Sequence, residues 1–177
     1  MQLAITVLGK KTDGFIAEVL SAISACQCNI LELRTSNLTR ITTAYLLIDG
    51  NWNHVAKLEG LLDAIRNRFE VQISLLRPDD MVENQPLQEG VPYTLETISM
   101  DKRDLMFAVT SFLLERGIVI EEISASRHPA MMFHNSIFSS RFLLLVPAEV
   151  RILSLREEFL DFCDTINIDA ILEPIKR

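Results

Sequence analysis

An acid and a glycine, Asp13-Gly14, precede an apolar periodic run, and an asparagine, Asn29, follows it. Backbone N–H groups at the head of a helix lack helical partners and sit at the positive end of its dipole, so Gly14 and Phe15 can offer donors to a carboxylate. Gly14 also lets the chain turn, or a ligand approach, without a Cβ in the way. Asn29 brings both a donor and an acceptor, and Asp13 either caps the helix or receives an ammonium. Together these groups match the two ends of an amino-acid zwitterion. The structural alternative is that Asp13 only caps a helix and Asn29 only begins a strand.

The remaining chemistry-bearing residues form weaker sets. Cys26-x-Cys28 has the spacing of a thiolate pair, but with no second pair nearby it reads as small apolar residues closing a helix, so no metal or cofactor is expected. Three cysteines, the third being Cys163, lack a disulfide-framework spacing. His128 and His134 lie six apart without further ligands and read as loop histidines. Between them Met131, Met132 and Phe133 offer an adaptable apolar surface for a protein partner. There is no G-x-S-x-G, no G-x-x-x-x-G-K-[ST] and no H-E-x-x-H, and Cys163 has no recognisable histidine partner, so the chain reads as non-enzymatic.

Hydropathy patterning supplies the elements that hold these residues. Leu3, Ile5 and Val7 alternate with Ala4 and Thr6 as in a half-buried strand, and Phe15, Ile16, Val19, Leu20 and Ile23 change to a helical stripe starting near Asp13. A second strand opens at Asn29. TSNLTRITTAYLLID reads as a hairpin turn feeding a third strand over 43–48, whose continuously apolar end marks it as central. Val55, Leu58, Leu61, Leu62 and Ile65 trace a second helix, and FEVQISL a fourth strand. The same order returns later: a strand over 93–100, a helix over 104–116 closed by Gly117, a strand over 118–125, a strand over 142–146, a helix started by Pro147, and a strand over 168–172. Residues 77–91, rich in proline and carboxylates, read as a linker between a first domain, 1–76, and a second, 92–177.

The halves match without gaps at an offset of 90 through three elements, Gly14 falling on Asp104, Val19 on Val109 and Ile30 on Ile120. By the last strand the offset is 97, Val71 falling on Ile168, which puts the extra residues between the second and third strands of the second half. The chain is an internal duplication of a βαββαβ unit. That order predicts an α+β fold: two tandem ferredoxin-like domains, each a four-stranded antiparallel sheet with both helices on one face and the first and third strands central. The second strand is then an edge carrying Ile30, Leu31 and Leu33, a liability best resolved by pairing with another edge, within the chain or in a homodimer.

With 49% hydrophobic residues, a net charge of −7 and a pI near 5.0, the chain has core-forming capacity and no basic face for gripping nucleic acid directly. No apolar run approaches the roughly 20 residues that cross a bilayer, so no membrane association and a cytoplasmic location are expected.

Two tandem units of this size, with a glycine-bearing loop after the first strand and Asn29 opening the second, resemble tandem ACT domains, in particular those of repressors of the glycine cleavage system. The similarity is strongest from Ile5 to Ile65, in TVLGKKTDGFIAEVLSAISACQCNILE and the later DGNWN. It implies a transcription regulator that binds a small amino acid at an interface between two units, through Lys11, Thr12, Asp13, Gly14, Phe15 and Asn29. It further implies repression through a separate DNA-binding activator, or, alternatively, a regulatory subunit that confers amino-acid feedback on a metabolic enzyme. The usual Asp-x-Pro-Gly loop is altered: Lys11 stands for its Asp and Asp13 for its Pro. In the second half Asp101 keeps the acid, but Asp104 replaces the glycine and Val119 the asparagine, which favours the first half as the ligand-binding one.

Overall fold

The computed structural model describes residues 1–10, 14–78, 89–100, 103–129 and 136–175. In chain order the elements are β1 (Gln2–Lys10), α1 (Phe15–Ala25), β2 (Asn29–Leu38), β3 (Ile41–Asp49), α2 (Trp52–Phe69) and β4 (Gln72–Leu76). Then follow β5 (Val91–Met100), α3 (Leu105–Glu115), β6 (Val119–Pro129), β7 (Ser136–Val146), α4 (Ile152–Ile166) and β8 (Asp169–Pro174). They divide into two compact units, Met1–Gln85 and Pro86–Arg177. Each holds one antiparallel four-stranded sheet, ordered β2-β3-β1-β4 and β6-β7-β5-β8. The first and third strands of each unit are central and the second is an edge, as the right-handed crossovers require.

In the first unit the alternation of β1 and β3 delivers Leu3, Ile5, Val7, Ala44, Leu46 and Ile48 to one face, where they share a core with Phe15, Val19 and Ile23 of α1 and Val55, Leu58 and Leu62 of α2. Burying each such side chain contributes roughly 1.5–3 kcal/mol, which holds helices whose sequences alone would be marginal. Gly9 stands where β1 passes under this core, and a Cβ there would come within 2.5 Å of Val71 Cγ1. The second unit repeats the plan with Leu95, Phe142 and Leu144 against Val109, Leu113, Leu155 and Phe159. Even the irregularities repeat: β2 shifts register between Ile30 and Glu32, and β6 between Ile120 and Glu122.

Several boundaries differ from the hydropathy pattern. The N-cap of α1 is Gly14, one residue past the expected Asp13, and among the described residues no side chain caps the helix. Asp13, like Lys11 and Thr12, lies outside the described residues. The TSNL segment belongs to β2, paired with β3 down to Leu38 against Ile41, so only Thr39 and Arg40 turn. Polar residues are at home there because every position of β2 is exposed or half-exposed. Pro147 does not start α4; its carbonyl accepts a bond from Val150 N at 3.1 Å in a turn, and the helix begins at Ile152.

The first and third helices end alike. Ile118 N donates to Leu113 O at 3.1 Å and Gly117 N to Leu114 O at 3.0 Å, a double closure around Gly117 at φ 68°. In the first unit Cys28 N reaches Ile23 O and Gln27 N reaches Ser24 O, with Gln27 in the left-handed position at φ 55°. That conformation favours glycine, so Gln27 carries a backbone strain that Gly117 avoids.

Candidate functional site

β1 delivers the chain to the head of α1, where Gly14 sits at φ 107° and ψ −23°. This is a left-handed conformation that L side chains rarely adopt, although a Cβ at Gly14 would meet nothing within 4 Å. The glycine is therefore required by backbone shape and not by crowding. Its carbonyl is committed to the helix, accepting from Glu18 N at 3.0 Å. Gly14 itself brings no side chain to cap α1, and the opening N–H groups of a helix serve an anion wherever no side chain occupies them. The ring of Phe15 is 1% exposed and belongs to the core, so this residue can meet a ligand only through its backbone.

Asn29 is exposed at the start of β2, in register with Asp49 of β3, which pairs in turn with Gln2 of β1. Lys10, which leads into the Gly14 loop, pairs instead with Ile41 at the other end of β3. Gly14 and Asn29 thus occupy opposite ends of one sheet, separated by the length of β1, on the order of 25 Å at strand rise. Within one unit the fold does not bring them together. Beside Asn29 the carboxylate of Asp49 is held by the N-terminal ammonium at 2.9 Å.

The other sequence candidates fall elsewhere. Cys26 and Cys28 are buried, with Cys28 Sγ donating to the Cys26 carbonyl at 3.8 Å. Burial, then the neighbouring Cys26 and Asp49, push the Cys28 thiol above its ordinary value, which disfavours the thiolate that a soft metal needs. Among the described residues no group of three or more His, Cys, Asp or Glu side chains is placed to hold a metal ion. His128 Nε2 lies 2.7 Å from Ser126 Oγ near the end of β6. His134 and the proposed partner surface Met131, Met132 and Phe133 lie outside the described residues.

Two features of the second unit escaped the hydropathy pattern. Thr97 and Ser140, paired across β5 and β7, face the core and bond each other at 2.7 Å, while the buried Ser99 hydroxyl has no partner among the described residues. Register equates these three with Val7, Ala44 and Gly9, so hydroxyls replace a dry patch of the first unit. The second feature is a groove of about 540 Å³ between α3 and α4, lined by Phe112, Glu115, Arg116, Glu158, Asp161 and Phe162 among others. Aligning the halves at their two offsets would have shown that Ala108 and Thr165 there replace Glu18 and Arg68.

The family model of the ACT domain matches residues 1–75. No curated protein matches the chain. Among solved structures, a protein of unknown function from Galdieria sulphuraria superposes with a TM-score of 0.82 at 18% identity, covering 99% of this chain and 98% of that one. A candidate glycine cleavage system transcriptional repressor superposes with a TM-score of 0.74 at 22% identity, again covering 99% of this chain and 98% of that one. At such identities the likeness is one of fold: the first unit has the ACT architecture and the second repeats it. Among the described residues no helix is long and apolar enough to cross a membrane.

Proposed function

We propose that this tandem ACT protein is a non-catalytic cytoplasmic regulator that represses glycine cleavage genes through a DNA-binding activator and is tuned by a small amino acid. The observation that carries the proposal is Gly14: a left-handed glycine with no capping side chain, at the head of α1 in the unit that matches the ACT family. The likeness in fold to a candidate glycine cleavage repressor supports the choice of genes. A net charge of −7 suits action through a protein and not through phosphate contacts of its own.

The separation of Gly14 from Asn29 shapes the ligand site. One amino acid is a few ångströms long, and both residues lie in the first unit, so both touch it only if they come from different copies of the chain. A homodimer with the loop of one first unit facing Asn29 of another meets that condition. The ligand's ammonium and carboxylate would then tie two units together, and an amino acid that binds this arrangement better than others would bias the protein towards it.

Co-purification from cells expressing the tagged full chain tests the proposal. A DNA-binding activator in the complex, released or retained according to glycine concentration, is the expected result. Recovery of a biosynthetic enzyme instead would make the chain a feedback subunit, and recovery of neither would remove partner-mediated regulation.

A further inference from the structure

We propose that the groove between α3 and α4 is a docking site for a basic helical segment of a protein partner. The proposal rests on the view that this chain works through another protein, and it assigns the surface and the chemistry. The two halves of the molecule serve as each other's comparison. In the first unit, Glu18 of α1 and Arg68 of α2 form an ion pair at 2.7 Å that crosses between the helices. In the second unit the same two positions are Ala108 and Thr165, and both line the open groove. Its floor is Phe112, where the first unit has the small Ala22.

The lining also changes sign. Glu115, Glu158 and Asp161 stand where the first unit has Ala25, Leu61 and Ala64, so three carboxylates surround an aromatic floor. Phe112 and Phe162 stack with centroids 4.7 Å apart, and Phe159 meets Phe112 edge-on at 5.2 Å. The groove already handles one guanidinium. Arg116 lies over the Phe112 ring at 3.5 Å, donates to Glu158 Oε2 at 3.0 Å and to the Phe112 carbonyl at 3.0 Å. Ring face below and carboxylate beside is the arrangement that recognises arginine. An incoming segment with arginines one helical turn apart meets the remaining carboxylates Glu115 and Asp161 in the same way. Nucleic acid and anionic membrane would be repelled by the same three charges.

The test titrates the full-length chain against a fluorescein-labelled synthetic helix carrying two arginines four residues apart on a leucine-bearing face, read by anisotropy. Expected is saturable binding that weakens with salt and is absent for the same peptide with glutamates in place of arginines. The double variant Ala108→Glu/Thr165→Arg transplants the first unit's bridge without altering net charge, and it is expected to weaken binding at least tenfold. Asp161→Asn, which leaves the helices packed as they are, is expected to weaken binding severalfold and guards against misfolding of the double variant. Equal binding by the native chain and both variants, or no binding by the native chain, overturns the proposal. The same variants in the co-purification assay keep the two ideas apart: a DNA-binding protein still captured by the closed-groove variant leaves partner regulation standing and sinks the groove.

Discussion

Two hydroxyls in the core of the second unit make a quantitative test of the duplication. Thr97 Oγ1 and Ser140 Oγ lie 2.7 Å apart, 1% and 5% exposed, where the first unit carries Val7 and Ala44. Thr97→Val is nearly isosteric but strands the Ser140 hydroxyl in a dry core, at a cost of about 1–3 kcal/mol. Ser140→Ala strands Thr97 at a similar cost. Making both changes removes donor and acceptor together and rebuilds the first unit's apolar pair, so the double variant is expected within about 1 kcal/mol of the native chain. The coupling is then at least about 1 kcal/mol, well beyond the few tenths by which independent sites deviate from additivity. For a unit of this size each kcal/mol moves the melting point by roughly 4–8 °C. Calorimetry measures the four proteins, and hydrogen exchange at β5 and β7 assigns the transition to the second unit. A double variant that loses the sum of the single losses refutes the pairing and, with it, the equivalence of the two cores.

Other expectations follow from single sites. Gln27→Gly and Glu70→Gly relieve left-handed residues at φ 55° and 52°, and each is expected to raise stability by up to about 1 kcal/mol in denaturant melts. Gly9→Ala drives a methyl to 2.5 Å from Val71 Cγ1, so a loss of about 1–3 kcal/mol is expected, with partial recovery when Val71→Ala is added. Cys163 is buried, and burial first, then Asp164 and Asp169, raise its thiol from 9.0 to about 11. A thiol raised in the folded state contributes stability below the unfolded value that is lost as pH climbs through the folded one. Melting points should therefore fall between pH 9 and 11 more in the native chain than in Cys163→Ala, and iodoacetamide labelling of Cys163 at pH 8 should need unfolding.

The duplicated architecture was legible because core-facing positions recur with period two in the strands and 3.6 in the helices, and Leu3, Ile5, Val7, Val55, Leu58 and Leu62 obey it. Polar edges were not: TSNL of β2 has no core face to reveal it as strand. The hydroxyls of Thr97 and Ser140 hid inside a correct alternation, since period two reports which face a residue takes and not how dry that face is. For the candidate site, the glycine at the head of α1 was readable from its place before the apolar stripe. Its separation from Asn29 was not read, although α1 necessarily carries the chain back along the sheet before β2 begins. The groove between α3 and α4 depends on which residues two helices bring opposite each other; the offsets of 90 and 97 contain the exchange of Glu18 and Arg68 for Ala108 and Thr165, but not that the two positions face each other.

The central claim is that the head of α1 in the first unit is part of an amino-acid sensor. The most direct measurement is the melting point of the full chain against each of the common amino acids, with Gly14→Ala and Asn29→Ala alongside. A ligand at a hundred times its dissociation constant adds about 2.7 kcal/mol, or roughly 5–10 °C for a chain of this length. The account predicts such a rise for a small amino acid, glycine first among them, abolished by Gly14→Ala because φ 107° strains any residue with a Cβ and shifts the loop, and reduced by Asn29→Ala. No shift with any amino acid at millimolar concentration, or a shift that survives Gly14→Ala, would contradict it.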